Sequence, residues 1–144
     1  AKAELAAECV NAHAVADLES AVGDADIITC VTTATAPVVR GAWLSPGTHL
    51  DLVGAFRPDM REVDDEAIHK ATIFVDTRAG ALQEAGELAD PIARNIMTTG
   101  DVQADLAELV KGAHPGRRDQ QEITLFKSVG TAIEDYAAAV CLVQ

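Results

Sequence analysis

Aromatic side chains are nearly missing from this chain: Phe, Trp and Tyr together make up 3% of its 144 residues. A core must therefore come from Ala, Val, Ile and Leu, which suits helices layered on a parallel sheet, and platforms for stacking nucleic-acid bases are excluded. Basic residues are also scarce, 11 against 23 acidic, for a formal net charge of -12. Neutralising phosphates supplies most nucleic-acid affinity, so DNA and RNA are excluded as partners, and an acidic substrate would have to be met by a local basic group. No apolar run approaches the roughly eighteen residues needed to cross a bilayer, so no membrane association is expected. Cysteine is limited to Cys9, Cys30 and Cys141. Odd in number and far apart, they give neither a disulfide framework nor a zinc knuckle, and a reducing cytoplasm is the simplest home. The opening Ala1-Lys2-Ala3-Glu4-Leu5 has no initiator Met and no apolar signal core. The chain is therefore expected to start inside a longer protein, with nothing to suggest secretion.

Diagnostic motifs are absent too. Gly-x-Gly-x-x-Gly, Gly-x-Ser-x-Gly and His-Glu-x-x-His do not occur, so dinucleotide binding cannot be argued from the usual loop. His13, His49, His69 and His114 lie too far apart for a local metal motif, and no metal is assigned. No internal repeat or composition break marks a second complete domain.

What is present alternates between helix and strand. Ala1 to Cys9 reads as the end of an amphipathic helix and His13 to Ala16 as a short strand. Leu18 to Val22 is helical, with Asp17 as N-cap and Gly23 as stop. Ile27 to Val31, a β-branched run, is the clearest buried strand; Thr48 to Val53 and Thr72 to Asp76 follow as the second and third. Asp64 to Ala71 fits a helix with acidic residues in its first turn, and Ala79 to Leu88 is helical. Asp101 to Lys111 repeats apolar residues at helical spacing. Ile123 to Phe126 is a short apolar segment, and a last helix carries Ile133, Tyr136, Ala137 and Val140 behind a Thr131–Glu134 capping box. The pattern is α/β.

In doubly wound sheets ligands bind beyond the carboxyl ends of the strands. Those ends here are Thr32-Thr33-Ala34-Thr35, Val53-Gly54-Ala55 and Asp76-Thr77, all small or hydroxylated. Such residues let a ligand approach the backbone, and a Thr hydroxyl reaches a ribose or phosphate oxygen; equally, Gly and Thr simply close βα turns. Lys127-Ser128-Val129-Gly130 either cradles an anionic group with backbone N–H donors and the lysine, or is a helix cap beside a surface lysine. Arg57, Asp59 and Arg61 sit beside a strand end, where a loop-stabilising ion pair is the simpler expectation. The run Asp64-Asp65-Glu66 reads as complementing a helix N-terminus.

Taken in order, Val31 to Thr35, Trp43-Leu44-Ser45-Pro46-Gly47, Val53-Gly54-Ala55-Phe56-Arg57-Pro58-Asp59-Met60-Arg61-Glu62, Val75 to Arg78 and Thr124 to Gly130 resemble the ornithine cyclodeaminase/mu-crystallin family. The resemblance runs from Ala1 to Gln144. It implies a partial Rossmann-type, doubly wound parallel sheet that lacks its first βαβ unit. Residues 1–126 would be the NAD(P)-binding part, and residues 127–144 a C-terminal helix returning toward a substrate and dimerisation domain. It also implies a homodimer using NAD or NADP on an amino acid or cyclic imine, with Thr32, Thr33, Val53, Gly54 and Ser128 along the cofactor. The family's N-terminal substrate-binding segment, Gly-rich first turn and NAD-or-NADP-selecting strand end have no counterpart here.

Two further expectations follow. In ornithine cyclodeaminases the position matching Phe56 is an aspartate that handles the substrate amino group, and a phenyl ring can neither accept a proton nor pair with an ammonium. The chain thus resembles the alanine dehydrogenase, ketimine reductase and pyrroline-2-carboxylate reductase branch, with ornithine cyclodeaminase and a non-catalytic mu-crystallin-like ligand binder as the alternatives. Second, a Rossmann sheet runs 3-2-1-4-5-6, and strands 1 and 2 would come from the unmatched unit. Ile27 to Val31 should then be an open apolar edge, which sheets avoid by pairing or covering. The His13 segment, a second copy of the chain, or preceding sequence is expected to fill it.

Overall fold

The computed structural model of the chain describes residues 12–143; the helix expected at its start lies outside them. In chain order the elements are α1 (Leu18–Gly23), β1 (Ile27–Cys30), a 3-10 turn (Gly41–Trp43), β2 (His49–Leu52), α2 (Asp65–Lys70), β3 (Thr72–Val75), α3 (Arg78–Glu84), α4 (Gly86–Ala93), a second 3-10 turn (Thr99–Asp101), β4 (Val102–Asp105), α5 (Leu106–Val110), β5 (Thr124–Lys127) and α6 (Ala132–Leu142). Local chemistry starts the helices as anticipated. Asp17 accepts from Ser20 N at 3.2 Å and Asp64 from Ala67 N at 2.9 Å, each satisfying a donor the first turn leaves free. Asp65 and Glu66 follow in the first turn of α2, where the helix dipole favours them.

Among the described residues five strands form one parallel sheet in the order β1-β2-β5-β3-β4, an α/β fold as expected. Period-two alternation sends Ile28, Cys30, Leu50, Leu52, Ile73, Val75 and Leu125 to one face, where they meet Val22, Ala67, Ile68, Ala81 and Leu88 of the helices. Each fully buried Leu there contributes about 1.5–3 kcal/mol. The opposite face is less covered: Ile27 and Thr29 are exposed, and His49, Asp51 and Phe126 are half-buried. The last strand in sequence occupies the centre, with Thr124 aligned to both His49 and Thr72, and Lys127 to both Leu52 and Val75. This insertion brings residues 128–130 beside Gly54.

Four local expectations are corrected. His13 to Ala16 is exposed coil, not a strand, and among the described residues no strand pairs with it. Ile27 to Cys30 is an edge strand and not a buried one: Ile27 is 67% exposed and Val31 68%, and among the described residues nothing pairs with its outer edge. The stretch from Asp101 to Lys111 is not one helix. Val102 and Ala104 are buried and Gln103 exposed, so the segment pairs with β3 as β4, and Asp105 then caps the short α5 by accepting from Glu108 N at 2.9 Å. Finally, the helix expected from Ala79 to Leu88 is two helices that break at Ala85. Gly86 packs so tightly on the loop after β2 that a Cβ there would overlap Met60 O and lie 2.9 Å from Arg57 O.

Candidate functional site

The carboxyl ends of β1, β2 and β5 open into one cleft of about 450 Å³. Val31, Thr32 and Thr33 come from the first end, Val53, Gly54 and Phe56 from the second, and Ser128, Val129 and Gly130 from the third; Glu134 of α6 closes the side. The five residues expected along a cofactor, Thr32, Thr33, Val53, Gly54 and Ser128, thus share one cavity wall. Phe56, a residue 46% exposed, joins them. It is the position at which the cyclodeaminase resemblance would require a carboxylate.

The third expected strand end does something else. Asp76, which follows β3, accepts from Val129 N and Gly130 N, each at 2.8 Å, and from Thr77 N at 2.6 Å. It pins the turn after β5, and Thr77 caps α3 by accepting from Gly80 N at 3.3 Å. The proposed anion cradle at Lys127 to Gly130 is therefore corrected: two of its N–H groups are already taken by a carboxylate. Nor is Lys127 a surface lysine. It is fully buried, and its Nζ donates to Leu52 O at 3.1 Å, Ser128 O at 2.8 Å and Gly54 O.

Arg57 and Asp59 form a two-pronged exposed pair at 3.0 and 2.8 Å, the loop ion pair anticipated. Arg61 is separate from them. It is buried, donating to Asp90 at 2.6 Å, Asp65 at 3.0 Å and Val63 O at 3.0 Å, while Arg94 bridges the same two aspartates at 2.7 Å. Hydrogen bonds from Arg94, then Arg61, hold the Asp65 carboxyl down at about 2. This network fastens α2 to α4, and none of its four side chains lines the cleft.

The histidines are dispersed. His49 Nδ1 lies 2.8 Å from Thr124 Oγ1, His114 meets the Phe74 ring edge-on at 5.4 Å, and His13 and His69 are exposed. Burial lowers the His49 pKa below its usual value.

Two residues behind the cleft escaped the sequence reading. Glu62 is fully buried and accepts from Thr32 N at 2.6 Å; its own N–H donates to Glu87, also fully buried. Burial pushes the Glu87 carboxyl up, the Lys127 ammonium down and the nearby Cys30 thiol up to about 11. A signal existed for Lys127, because strand parity puts it on the face of Leu125. None existed for Glu87, which looks like any helical surface glutamate.

The cleft's chemistry is selective. Among the described residues no Lys or Arg lines it, its hydroxyls are Thr32, Thr33 and Ser128, and the one carboxylate among them is Glu134, which accepts from Thr131 N at 3.1 Å. A pyrophosphate does not fit such walls, since nothing there offsets its charge. A reduced nicotinamide, neutral and near-planar, joined to a hydroxyl-bearing ribose does fit.

Comparison with known proteins agrees with this geometry. The sequence profile of the ornithine cyclodeaminase/mu-crystallin family matches residues 1–144. The chain is 48% identical over 126 residues to a Delta(1)-pyrroline-2-carboxylate reductase of Paracoccus denitrificans, covering 88% of this chain and 40% of that protein. It is 43% identical over 122 residues to the ketimine reductase mu-crystallin of Macropus fuliginosus, covering 85% and 36%. Among solved structures, the Thermococcus litoralis Delta(1)-pyrroline-2-carboxylate reductase in complex with NADH and L-proline superposes with a TM-score of 0.88 at 39% identity, covering 96% of this chain and 43% of that one. The chain thus spans about two fifths of the length of the relatives it matches. Its parallel sheet, its strand-end cleft and a profile match over every residue lead to one assignment: the chain belongs to the ornithine cyclodeaminase/mu-crystallin family.

Proposed function

We propose that this chain forms the nicotinamide-facing side of the NAD(P)-binding domain of a reductase. Its substrate would be a cyclic imine or ketimine, or an amino acid interconverted with its 2-oxo acid. Residues 1–126 would belong to that domain, and residues 127–144 would lead back toward a substrate and dimerisation domain of a cytoplasmic homodimer. The apolar residues that α6 leaves exposed, Ile133 and Tyr136 among them, support packing against such a domain.

The observation that carries the reading is Phe56 on the cleft wall beside neutral, hydroxyl-bearing strand ends. A bound nicotinamide supplies the hydride chemistry. The chain's own residues would bind and orient: Thr32, Thr33 and Ser128 offer hydroxyls to ribose or carboxamide oxygens, and Gly54, having no side chain, lets Glu62 Oε1 and Thr32 O close up behind the strand ends. Val53 and Phe56 form an apolar wall that excludes water. The phenyl ring cannot take a proton from an amine, which disfavours cyclodeamination at this site.

The test is NAD(P)H oxidation by the full-length parent with a panel of cyclic imines and of 2-oxo acids with amines, run beside ammonia release from ornithine. Oxidation with an imine or 2-oxo acid and little ammonia is expected. Efficient ammonia release from ornithine, or cofactor binding with no turnover on any substrate, would overturn the reading.

A further inference from the structure

Three loops frame the cleft, and their backbones are tied together from behind by charge. Lys127, the last residue of β5, is completely buried, and an ammonium has three N–H donors to satisfy. All three end on carbonyls at or next to the cleft wall: Leu52 O at the end of β2, Gly54 O just after it, and Ser128 O after β5 itself. The loop after β1 is held by the opposite charge, with the Glu62 carboxylate accepting from Thr32 N at 2.6 Å. Gly54 lies between these anchors, so close that a Cβ would overlap both Glu62 Oε1 and Thr32 O. Glu62 Oε2 and Glu87 Oε2 are buried without hydrogen-bond partners.

Buried charges are an expensive way to hold loops. Removing an ammonium and a carboxylate from water costs several kcal/mol each, and an apolar pair of similar volume often gives equal or greater stability. Stability alone therefore does not account for the arrangement. Its specific product is geometric, because every one of these hydrogen bonds ends on a backbone atom of a residue that forms, or directly precedes, the cleft wall.

We propose that Lys127 and Glu62 are positioning residues for the ligand: acting through the backbones of Gly54, Ser128 and Thr32, they set the spacing of the three strand ends against which the nicotinamide end of the cofactor lies. The inference rests on the cofactor reading above. Neither side chain touches the ligand. Losing one anchor should loosen binding while leaving the sheet in place.

The experiment uses the full-length parent and follows NADH or NADPH binding by fluorescence titration, with thermal melting measured in parallel. Lys127→Met removes the charge at similar length and is expected to weaken binding of the folded protein by about tenfold, the scale of one charge-assisted hydrogen bond. Glu62→Gln keeps an acceptor for Thr32 N and should weaken binding less than Glu62→Leu, which has none. A merely structural brace would lower the melting temperature of all three variants and leave the affinity of the folded protein unchanged; that result overturns the proposal. If Lys127→Met does not fold, the Glu62 pair decides, since equal affinities for Gln and Leu refute the idea and a graded loss supports it. An unmutated parent that binds neither nucleotide would instead remove the cofactor reading, and this inference with it.

Discussion

Replacing Gly54 by Ala adds one methyl group at the point where the strand ends converge, and the structure sets the scale of the response. The new Cβ would lie 2.5 Å from Glu62 Cδ and would overlap Glu62 Oε1 and Thr32 O. Ordinary carbon–carbon contact needs about 3.5 Å, so the carboxylate must retreat by about 1 Å. That retreat breaks the 2.6 Å bond from Thr32 N. A hydrogen bond to a charged group contributes about 1.5–3 kcal/mol, and overpacking a tight interior costs about 1–3 kcal/mol more. Gly54→Ala should therefore destabilise the chain by about 3–5 kcal/mol. Gly130→Ala is the control. Its φ of +85° carries a left-handed penalty of about 1 kcal/mol, but a Cβ there meets nothing within 4 Å. With a urea m-value of about 2 kcal/mol per M, Gly54→Ala should lower the unfolding midpoint by about 2 M and Gly130→Ala by about 0.5 M. Circular dichroism during urea titration reads both. Equal midpoints for the two variants would refute the claim that Gly54 is a close-approach position.

Other expectations concern ligand, acid and association. Calorimetric titration of this chain alone with NADH and NADPH should reveal no tight site, because the cleft offers no group to hold the pyrophosphate; a submicromolar dissociation constant would contradict that. Asp65 is held near 2 in the folded chain, below its unfolded value of about 3.9, so its contribution to stability is complete above about pH 5 and is lost as pH falls toward 2. Denaturation midpoints at pH 6, 4 and 3 should accordingly fall more steeply for the unmutated chain than for Asp65→Asn, and parallel curves would dismiss the network as a source of acid sensitivity. The open edge of β1 should make this chain associate as its concentration rises, and Ile27→Lys should suppress that association in sedimentation velocity; a monomer at all concentrations without the substitution would show the edge to be harmless.

Much of the candidate cleft is legible in the sequence, for a physical reason. Parallel strands present ligands at their carboxyl ends, so marking where the runs at Ile27 and Thr48 stop already picks out Thr32, Thr33, Val53 and Gly54. Ser128 stands in the Lys127–Gly130 turn that the residues offer as an anion cradle or a helix cap, and its place along a cofactor is what the family resemblance implies. The order of strands was not legible. Ile123 to Phe126 is a plain apolar segment, and nothing local says that it enters between β2 and β3. The misreading of β4 has a related cause: Val102, Leu106, Leu109 and Val110 fit a helical stripe, whereas the strand alternation spans only Val102 to Ala104 and is too short to outweigh it. Glu62 and Glu87 were missed because a buried glutamate and a solvated one are the same letter. Only the packing of other segments around them makes the difference.

The central place of β5 also governs the order in which the molecule can be assembled. Neighbours β1 and β2 can pair as soon as they are made, as can β3 and β4, but His49 must wait for Thr124, 75 residues later, before the two ribbons join. Isolated two-stranded ribbons are marginal in water, and long-range pairing is slow because loop entropy must be overcome first. During synthesis the growing chain therefore carries two half-sheets, each with an inner edge of unpaired amide and carbonyl groups, until residue 127 leaves the ribosome. A chain cut short before Ile123 would not form a smaller version of this sheet. It would hold two ribbons with no strand to join them, a natural substrate for chaperones and proteases.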